Sequence, residues 1–316
     1  MVERIALHPD LDGLLLGAGR GTRLRPLTDL IPKPALPILD LPLGAFGASA
    51  LAAVCRRVIV NVSHLPEAVT GALSTWAPEV VTELPQPYGT GGTVRALSDR
   101  GSRRMVTYNS DLLTDLGLER MLAAHEASGA TATIAVEPVD TLADFEMTAR
   151  GELTSFVDRR REGDRAGGRF IGVGIFESDA LSLLESRRPL GLTEGLIAPL
   201  VAAGRLRAHL HEGYACDVGT IDRYLRASLD VLEARGPRLP ARLPGRVVDV
   251  PGGRAYLGPD VEADESSLRA GAILLVGSVV APGARIERAI VWPGEKVPPV
   301  EVSDAVWARG EAHPAT

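Results

Sequence analysis

The sequence predicts an α/β protein, a mainly parallel sheet with helices on both faces, followed by a short β-rich domain. Three observations predict it. Through about residue 235, short apolar runs alternate with longer amphipathic ones, the pattern of strands joined by helical crossovers. The composition is 45% hydrophobic and 23% charged, that of a globular chain able to bury such a sheet. Past Arg235-Gly-Pro-Arg-Leu-Pro-Ala-Arg-Leu-Pro-Gly245 the helical period is lost and small Pro/Gly turns recur instead.

The elements follow in order. Gly13–Leu16, Arg57–Val62, Val80–Glu83, Arg104–Tyr108 and Thr131–Glu137 are short apolar runs and read as strands. Ala45–Cys55, Pro66–Thr75, Gly91–Leu97 and Leu116–Ser128 read as the helices between them. Residues 142–158 alternate as a β-hairpin turning near Arg150-Gly151, and Arg159–Arg169 is a charged, glycine-rich surface loop. Arg169–Phe176 reads as a buried strand, and Leu192–Gly204 and Tyr224–Ala234 as helices. This is a Rossmann-like arrangement, in which ligands sit beyond the carboxyl ends of the strands. After the linker at 236–246, the turns Gly258-Pro-Asp-Val261, Ala281-Pro-Gly-Ala-Arg-Ile286 and Trp292-Pro-Gly-Glu-Lys-Val297 predict a short left-handed β-helix-like domain over 247–300. A looser β-appendage is the open alternative, and 301–316 is a tail.

Charge and cysteines exclude several classes. The net charge is −6 and no stretch gathers a basic face, so a nucleic-acid partner is not expected. Cys55 and Cys216 have neither the number nor the spacing of a disulfide framework or zinc knuckle, and read as two reduced, partly buried thiols. There is no secretory apolar segment and no run of about 18 apolar residues, so the expectation is a cytoplasmic protein without a membrane partner.

The chemistry concentrates in Leu14-Leu-Leu-Gly17-Ala-Gly19-Arg-Gly21-Thr22-Arg23-Leu-Arg25-Pro-Leu-Thr28, followed by Pro32-Lys33-Pro34. Glycines after a strand let main-chain amides approach a phosphate, and nearby cations hold its charge. The spacing fits neither G-x-x-x-x-G-K-[ST] nor G-x-G-x-x-G, because Thr22 stands where each requires its second or third glycine. A tight strand–helix turn is the alternative reading of the glycines taken alone. Among 34 basic residues only Lys33 and Lys296 are lysines, so a lysine held between two prolines suggests a need for a compact ammonium. Asp111 and Asp217 each fall at a strand end; together they suit Mg²⁺, which takes one or two carboxylates plus substrate phosphates. Either alone reads equally well as a turn residue. Gly89-Thr90-Gly-Gly-Thr93 opens a helix and suits close approach to a flat base, although helix N-capping would also account for both threonines.

The first motif, with Gly89-Thr-Gly-Gly, Asn109-Ser-Asp111 and Asp217-Val-Gly-Thr220 in that order, resembles the sugar-1-phosphate nucleotidylyltransferases over about residues 12–235. Within that family the chain looks nearest to mannose-1-phosphate guanylyltransferases and N-acetylmuramate-1-phosphate uridylyltransferases. The β-helical tail is similar to the guanylyl and glucose-1-phosphate branches and is not expected of the short muramate enzymes.

The resemblance implies that 1–235 is a catalytic domain taking a nucleoside triphosphate and a sugar-1-phosphate, with Mg²⁺ as cofactor. A sugar-1-phosphate oxygen attacks the α-phosphate in line and pyrophosphate leaves, a reaction catalysed by positioning and charge stabilisation. Arg23 and Lys33 are then the catalytic cations. Leu16, Gly17, Ala18, Gly19, Gly21, Thr22, Gly89, Thr90 and Asp111 line the nucleotide, and the amides from Gly17 to Thr22 help hold the pyrophosphate. Asn109, Gly172 and Glu194 face the sugar, with a plain helix-start charge the alternative for Glu194. Asp111 and Asp217 hold the metal. Two departures stand out. Ser110 occupies a position that is often glycine, and Phe156-Val-Asp-Arg-Arg160 stands where several branches carry Glu-Lys-Pro. Sugar phosphate would then pass to Arg159 or Arg160, or the arginines are simply solvated. A regulatory subunit that binds nucleotide sugars without turnover is the competing class, and self-association through a β-helix edge stays open.

Overall fold

The computed structural model describes residues 8–77, 79–148, 152–157, 163 and 166–315. It divides into two compact units. Unit 1 comprises 1–19, 47–112 and 116–213, and unit 2 comprises 20–46, 113–115 and 214–316.

Unit 1 is built on a nine-stranded sheet. Its strands are β1 (His8–Leu16), β2 (Cys55–Val62), β3 (Glu79–Thr82), β4 (Arg104–Asn109), β5 (Ala132–Val139), β6 (Phe145–Met147), β7 (Leu153–Phe156), β8 (Gly167–Phe176) and β9 (Leu206–Leu210). The path runs β7-β6-β8-β4-β1-β2-β3, with β5 paired to β8 and β9. β1 is parallel to β2 and β4, β2 to β3, and β5 to β9. These strands are runs of Leu, Val and Ile because both faces are covered by helices. α1 (Leu43–Val54), α2 (Pro66–Leu73), α3 (Thr90–Asp99) and α4 (Leu118–Ser128) stand where the sequence places helices. Leu14, Ile59, Met105, Ile134, Phe176 and Leu196 lie in one core.

Two strands, β7 and β8, run against the others. β8 runs antiparallel to β4, β5 and β6. The hairpin reverses the chain between β6 and β7, and β8 keeps the direction of β7 on the other side of β6. β6 and β7 pair antiparallel as expected, while the turn at Arg150-Gly151 and most of the Arg159–Arg169 run lie outside the described residues. The helix read from Leu192 opens in a π-helical turn, Thr193–Ile197, before Ala198–Ala202.

Unit 2 joins the segment 20–46 to helix α5 (Ile221–Leu232) and a strand-rich C-terminal part. There β10 (Arg246–Val250) pairs antiparallel with β11 (Gly253–Leu257), followed by parallel strands β12 (Ala272–Leu274), β13 (Arg285–Val291) and β14 (Glu301–Ala308). Tyr256 pairs with Ile273, Ile273 with Ile290, and Ile290 with Val306, so successive coils stack in register. Ala255, Leu274, Ile286, Val291 and Val302 fill one face of the stack. Leu24, Leu27, Leu36, Ile38 and Leu41 of the early segment share another core with Tyr224, Leu225, Ile273, Ile290 and Trp292.

Candidate active site

In unit 1, parallel register aligns Leu16 of β1 with Asn61 of β2 and with Asn109 of β4 at the carboxyl edge of the sheet. The glycine loop leaves the sheet there, as strand-end ligand sites require. Its first residues are fixed by side chains of the strand next to it. Gly17 donates its N–H to Asn61 Oδ1 at 2.8 Å, and Ser63 Oγ donates to the Ala18 carbonyl at 2.7 Å. The Gly17 amide is thus already engaged inside the protein. Ser110, buried after β4, donates its N–H to the Leu16 carbonyl at 3.1 Å, which seats Asp111 two residues past the strand end.

The other unit 1 residues are also placed by specific contacts. Gly172, at φ +100, lies so close to Asn109 that a Cβ there would meet Asn109 Nδ2 at 2.5 Å; only glycine permits both the conformation and the approach. Gly89 caps α3 with no side-chain cap bond, so N-capping is not what the two threonines do. Thr90 Oγ1 accepts the Leu192 N–H at 2.8 Å, and the Thr93 hydroxyl turns to Glu83. Exposed Glu194 accepts the Gly191 N–H at 2.8 Å, the helix-start role left open beside sugar binding.

Unit 2 carries Gly21, Thr22, Arg23, Lys33 and Asp217. Thr28 Oγ1 donates to the Gly21 carbonyl at 2.8 Å, closing the turn that precedes the short helix Thr22–Leu24. Lys33 is only 11% exposed, and its Nζ lies 3.8 Å from Asp217 Oδ1. Arg223 Nη1 lies 3.3 Å from the other oxygen of the same carboxylate. Arg23 reaches the same place, since a Cβ on Gly219 would sit 2.9 Å from Arg23 Nη2 and 3.3 Å from Asp217 Oδ1. Two predicted cations and a predicted metal carboxylate are thus gathered in one unit from residues far apart in sequence. Arg223 was not singled out from the sequence, and Gly219 only as part of the Asp217-Val-Gly-Thr220 motif. Arg223 is the first basic residue of the helix that follows the Asp217-Val-Gly-Thr turn, and was legible to that extent.

Polar contacts also tie this segment to the rest of unit 2. The Tyr224 hydroxyl donates to the Pro37 carbonyl at 2.6 Å, and the Tyr224 ring meets Trp292 edge-on at 6.0 Å. Asp40 accepts the Tyr256 hydroxyl at 2.9 Å and the Val276 N–H at 3.0 Å. Burial pushes the Asp40 carboxyl above its ordinary range, partly offset by those two bonds. Both cysteines are free; burial, reinforced by Asp12, pushes the Cys55 thiol up to about 12, so it is an inert core group.

A glycine loop at a strand end and a cluster of arginine, lysine and aspartate are the equipment of an enzyme that moves phosphorus between oxygens. The chain belongs to the nucleotidyl transferase family, whose sequence pattern matches residues 12–234. It is similar to the mannose-1-phosphate guanylyltransferase of Mycobacterium tuberculosis, with 27% identity covering 93% of this chain and 82% of that protein. It is also similar to the probable mannose-1-phosphate guanylyltransferase 2 of Arabidopsis thaliana, with 29% identity over 72% of this chain and 67% of the relative. The crystal structure of HddC from Yersinia pseudotuberculosis superposes with a TM-score of 0.57 at 19% identity, covering 70% of this chain and 99% of that one, a likeness of fold. The family resemblance read from the motifs is borne out. No helix among the described residues is long and apolar enough to cross a membrane.

Proposed function

We propose that this chain is a Mg²⁺-dependent sugar-1-phosphate nucleotidylyltransferase of the mannose-1-phosphate guanylyltransferase kind, joining a nucleoside triphosphate to a sugar-1-phosphate with release of pyrophosphate. The observation that carries the reading is the gathering of Arg23, Lys33 and Asp217 in unit 2. Relatives named for guanylyl transfer to mannose-1-phosphate support the choice of substrates.

The reaction asks the protein for positioning and charge neutralisation rather than covalent chemistry. Arg23, an exposed residue, holds the departing pyrophosphate together with amides of the glycine loop. Lys33 supplies a compact positive charge beside the reacting phosphates, and its partly buried stem fixes where that charge sits. Gly89 and Thr90 border the base, and Asn109, against Gly172, faces the sugar. Among the described residues no group of three or more His, Cys, Asp or Glu side chains gathers as a ligand set. That suits Mg²⁺, which binds through one or two carboxylates and takes its remaining ligands from phosphates and water. Asp111 and Asp217 would hold the ion, Asp217 with about half of its side chain (47%) open to solvent. When bound, Mg²⁺ neutralises charge on the phosphates during in-line displacement. The stacked strands of the C-terminal part support reading 247–300 as a short left-handed β-helix.

The test is a matrix of four nucleoside triphosphates against a panel of sugar-1-phosphates, with pyrophosphate release as readout. GTP with mannose-1-phosphate is expected to give the highest kcat/KM. A preference for UTP with N-acetylmuramate-1-phosphate would move the chain to the uridylyl branch. Binding without release for every pair would make it a regulatory subunit.

A further inference from the structure

Asn61 and Glu83 form a buried polar bridge that none of the catalytic roles above uses. Asn61 lies near the carboxyl end of β2 and is 2% exposed; Glu83 follows β3 and is fully buried. Besides accepting the Gly17 amide, Asn61 donates through Nδ2 to Glu83 Oε1 at 2.8 Å and to Thr93 Oγ1 at 3.1 Å. The Thr93 hydroxyl donates to Glu83, and the other Glu83 oxygen accepts the Tyr88 N–H at 2.7 Å. Thr93 donates its own N–H to the Gly89 carbonyl at 2.9 Å. An unbroken chain of bonds thus runs from the first amide of the glycine loop to the Tyr88–Thr93 turn.

Burying a carboxylate is costly even when every oxygen is satisfied, and an apolar side chain would fill the space at lower cost. What a carboxylate and an amide provide instead is direction: each bond fixes both a distance and an orientation. We propose that Asn61 and Glu83 are positioning residues for the nucleotide, setting the spacing between the loop that meets its phosphates and the turn that meets its base. The proposal rests on the nucleotidylyltransferase reading, and names the side chains that make one rigid binding edge from two separate loops of unit 1.

Three variants test it. Glu83→Gln keeps the shape but puts a donor where only an acceptor fits. Thr93→Val keeps the shape and removes the hydroxyl, and Thr93→Ser restores the hydroxyl. Glu83→Gln and Thr93→Val are expected to raise the nucleotide KM about tenfold or more while the sugar-1-phosphate KM stays within about twofold, with Thr93→Ser near the wild type. The double variant Glu83→Gln/Thr93→Val is expected to lose little more than either single one, because both break the same network. Equal rises in both KM values, unchanged nucleotide KM in soluble folded variants, or additive losses would overturn the proposal. If a variant does not fold, the Thr93→Ser against Thr93→Val comparison decides alone. Calorimetric binding of GTP to the same proteins separates the two readings. Wild-type protein that binds GTP without turnover overturns the enzymatic reading, while the variants' binding still reports on the bridge.

Discussion

Units 1 and 2 hold their functional groups by different physical means. In unit 1 the groups proposed to meet the nucleotide are main-chain amides, and the start of their loop is fixed by directional bonds from polar side chains, buried Asn61 and half-buried Ser63. In unit 2 the groups are side-chain cations, and the segment that bears them is fixed by burial. Leu24, Leu27, Leu36 and Ile38 are sunk in a core with Tyr224 and Ile290, with the tyrosine hydroxyls pinning the backbone. The difference follows from the groups themselves. An amide on a turn points wherever its peptide plane points, so it needs an angular constraint. A cation on a flexible stem needs only a fixed Cα, which close apolar packing supplies without direction.

The comparison can be broken at its most consequential point first. Asp111→Asn and Asp217→Asn, one in each unit, are each expected to cut turnover by about a hundredfold or more with the fold intact. Near-wild-type rates in steady-state assays of both would remove the two carboxylates from the proposed chemistry. Lys33→Arg comes next. A planar fork cannot replace a point charge whose Nζ sits 3.8 Å from Asp217 on a stem only 11% exposed, so a fall in kcat of about tenfold is expected. Full activity would show that any cation serves there.

Tyr224→Phe probes the anchoring of unit 2 and acts on stability rather than chemistry. It strands the Pro37 carbonyl and is expected to cost about 1–3 kcal/mol in denaturant unfolding. A cost near zero would mean that apolar burial alone holds the segment. The smallest effect concerns Asp12, midway along β1. Burial would raise its pKa, but bonds from Arg57, Arg56 and Ser102 and the charge of Arg57 outweigh this and hold it well below the usual carboxylate range. A carboxyl depressed in the folded state contributes stability above its unfolded value, about 3.9, and loses it as the pH falls below that value toward the folded one. The thermal midpoint of wild type is therefore expected to fall more steeply below about pH 4 than that of Asp12→Asn. Parallel curves would show that Asp12 is not the group responsible.

Much of the sheet was legible because its strands are apolar and its crossovers amphipathic, two periods that sequence displays directly. The antiparallel course of β8 was not, since Gly167–Phe176 has the composition of any buried strand and pairing direction depends on what precedes it. Of the site, the glycine loop, Lys33 and Asp217 were legible through spacing and residue scarcity. Asn61 and Glu83 carried a faint signal, one a polar residue inside Val58-Ile-Val-Asn-Val62 and the other an acid closing an apolar run. Such residues declare themselves only when the loops they connect are seen together. The packing of 20–46 with the C-terminal coils was beyond reach, because the leucines that do it look like those of any core.

Phosphorus NMR of GTP and mannose-1-phosphate with the wild-type chain and Mg²⁺ tests the central claim most directly. The account predicts that both substrates disappear one for one as GDP-mannose and pyrophosphate appear, and that chelating the metal stops the reaction. GTP consumed without dependence on a sugar-1-phosphate, or product formed at full rate in excess chelator, would contradict it.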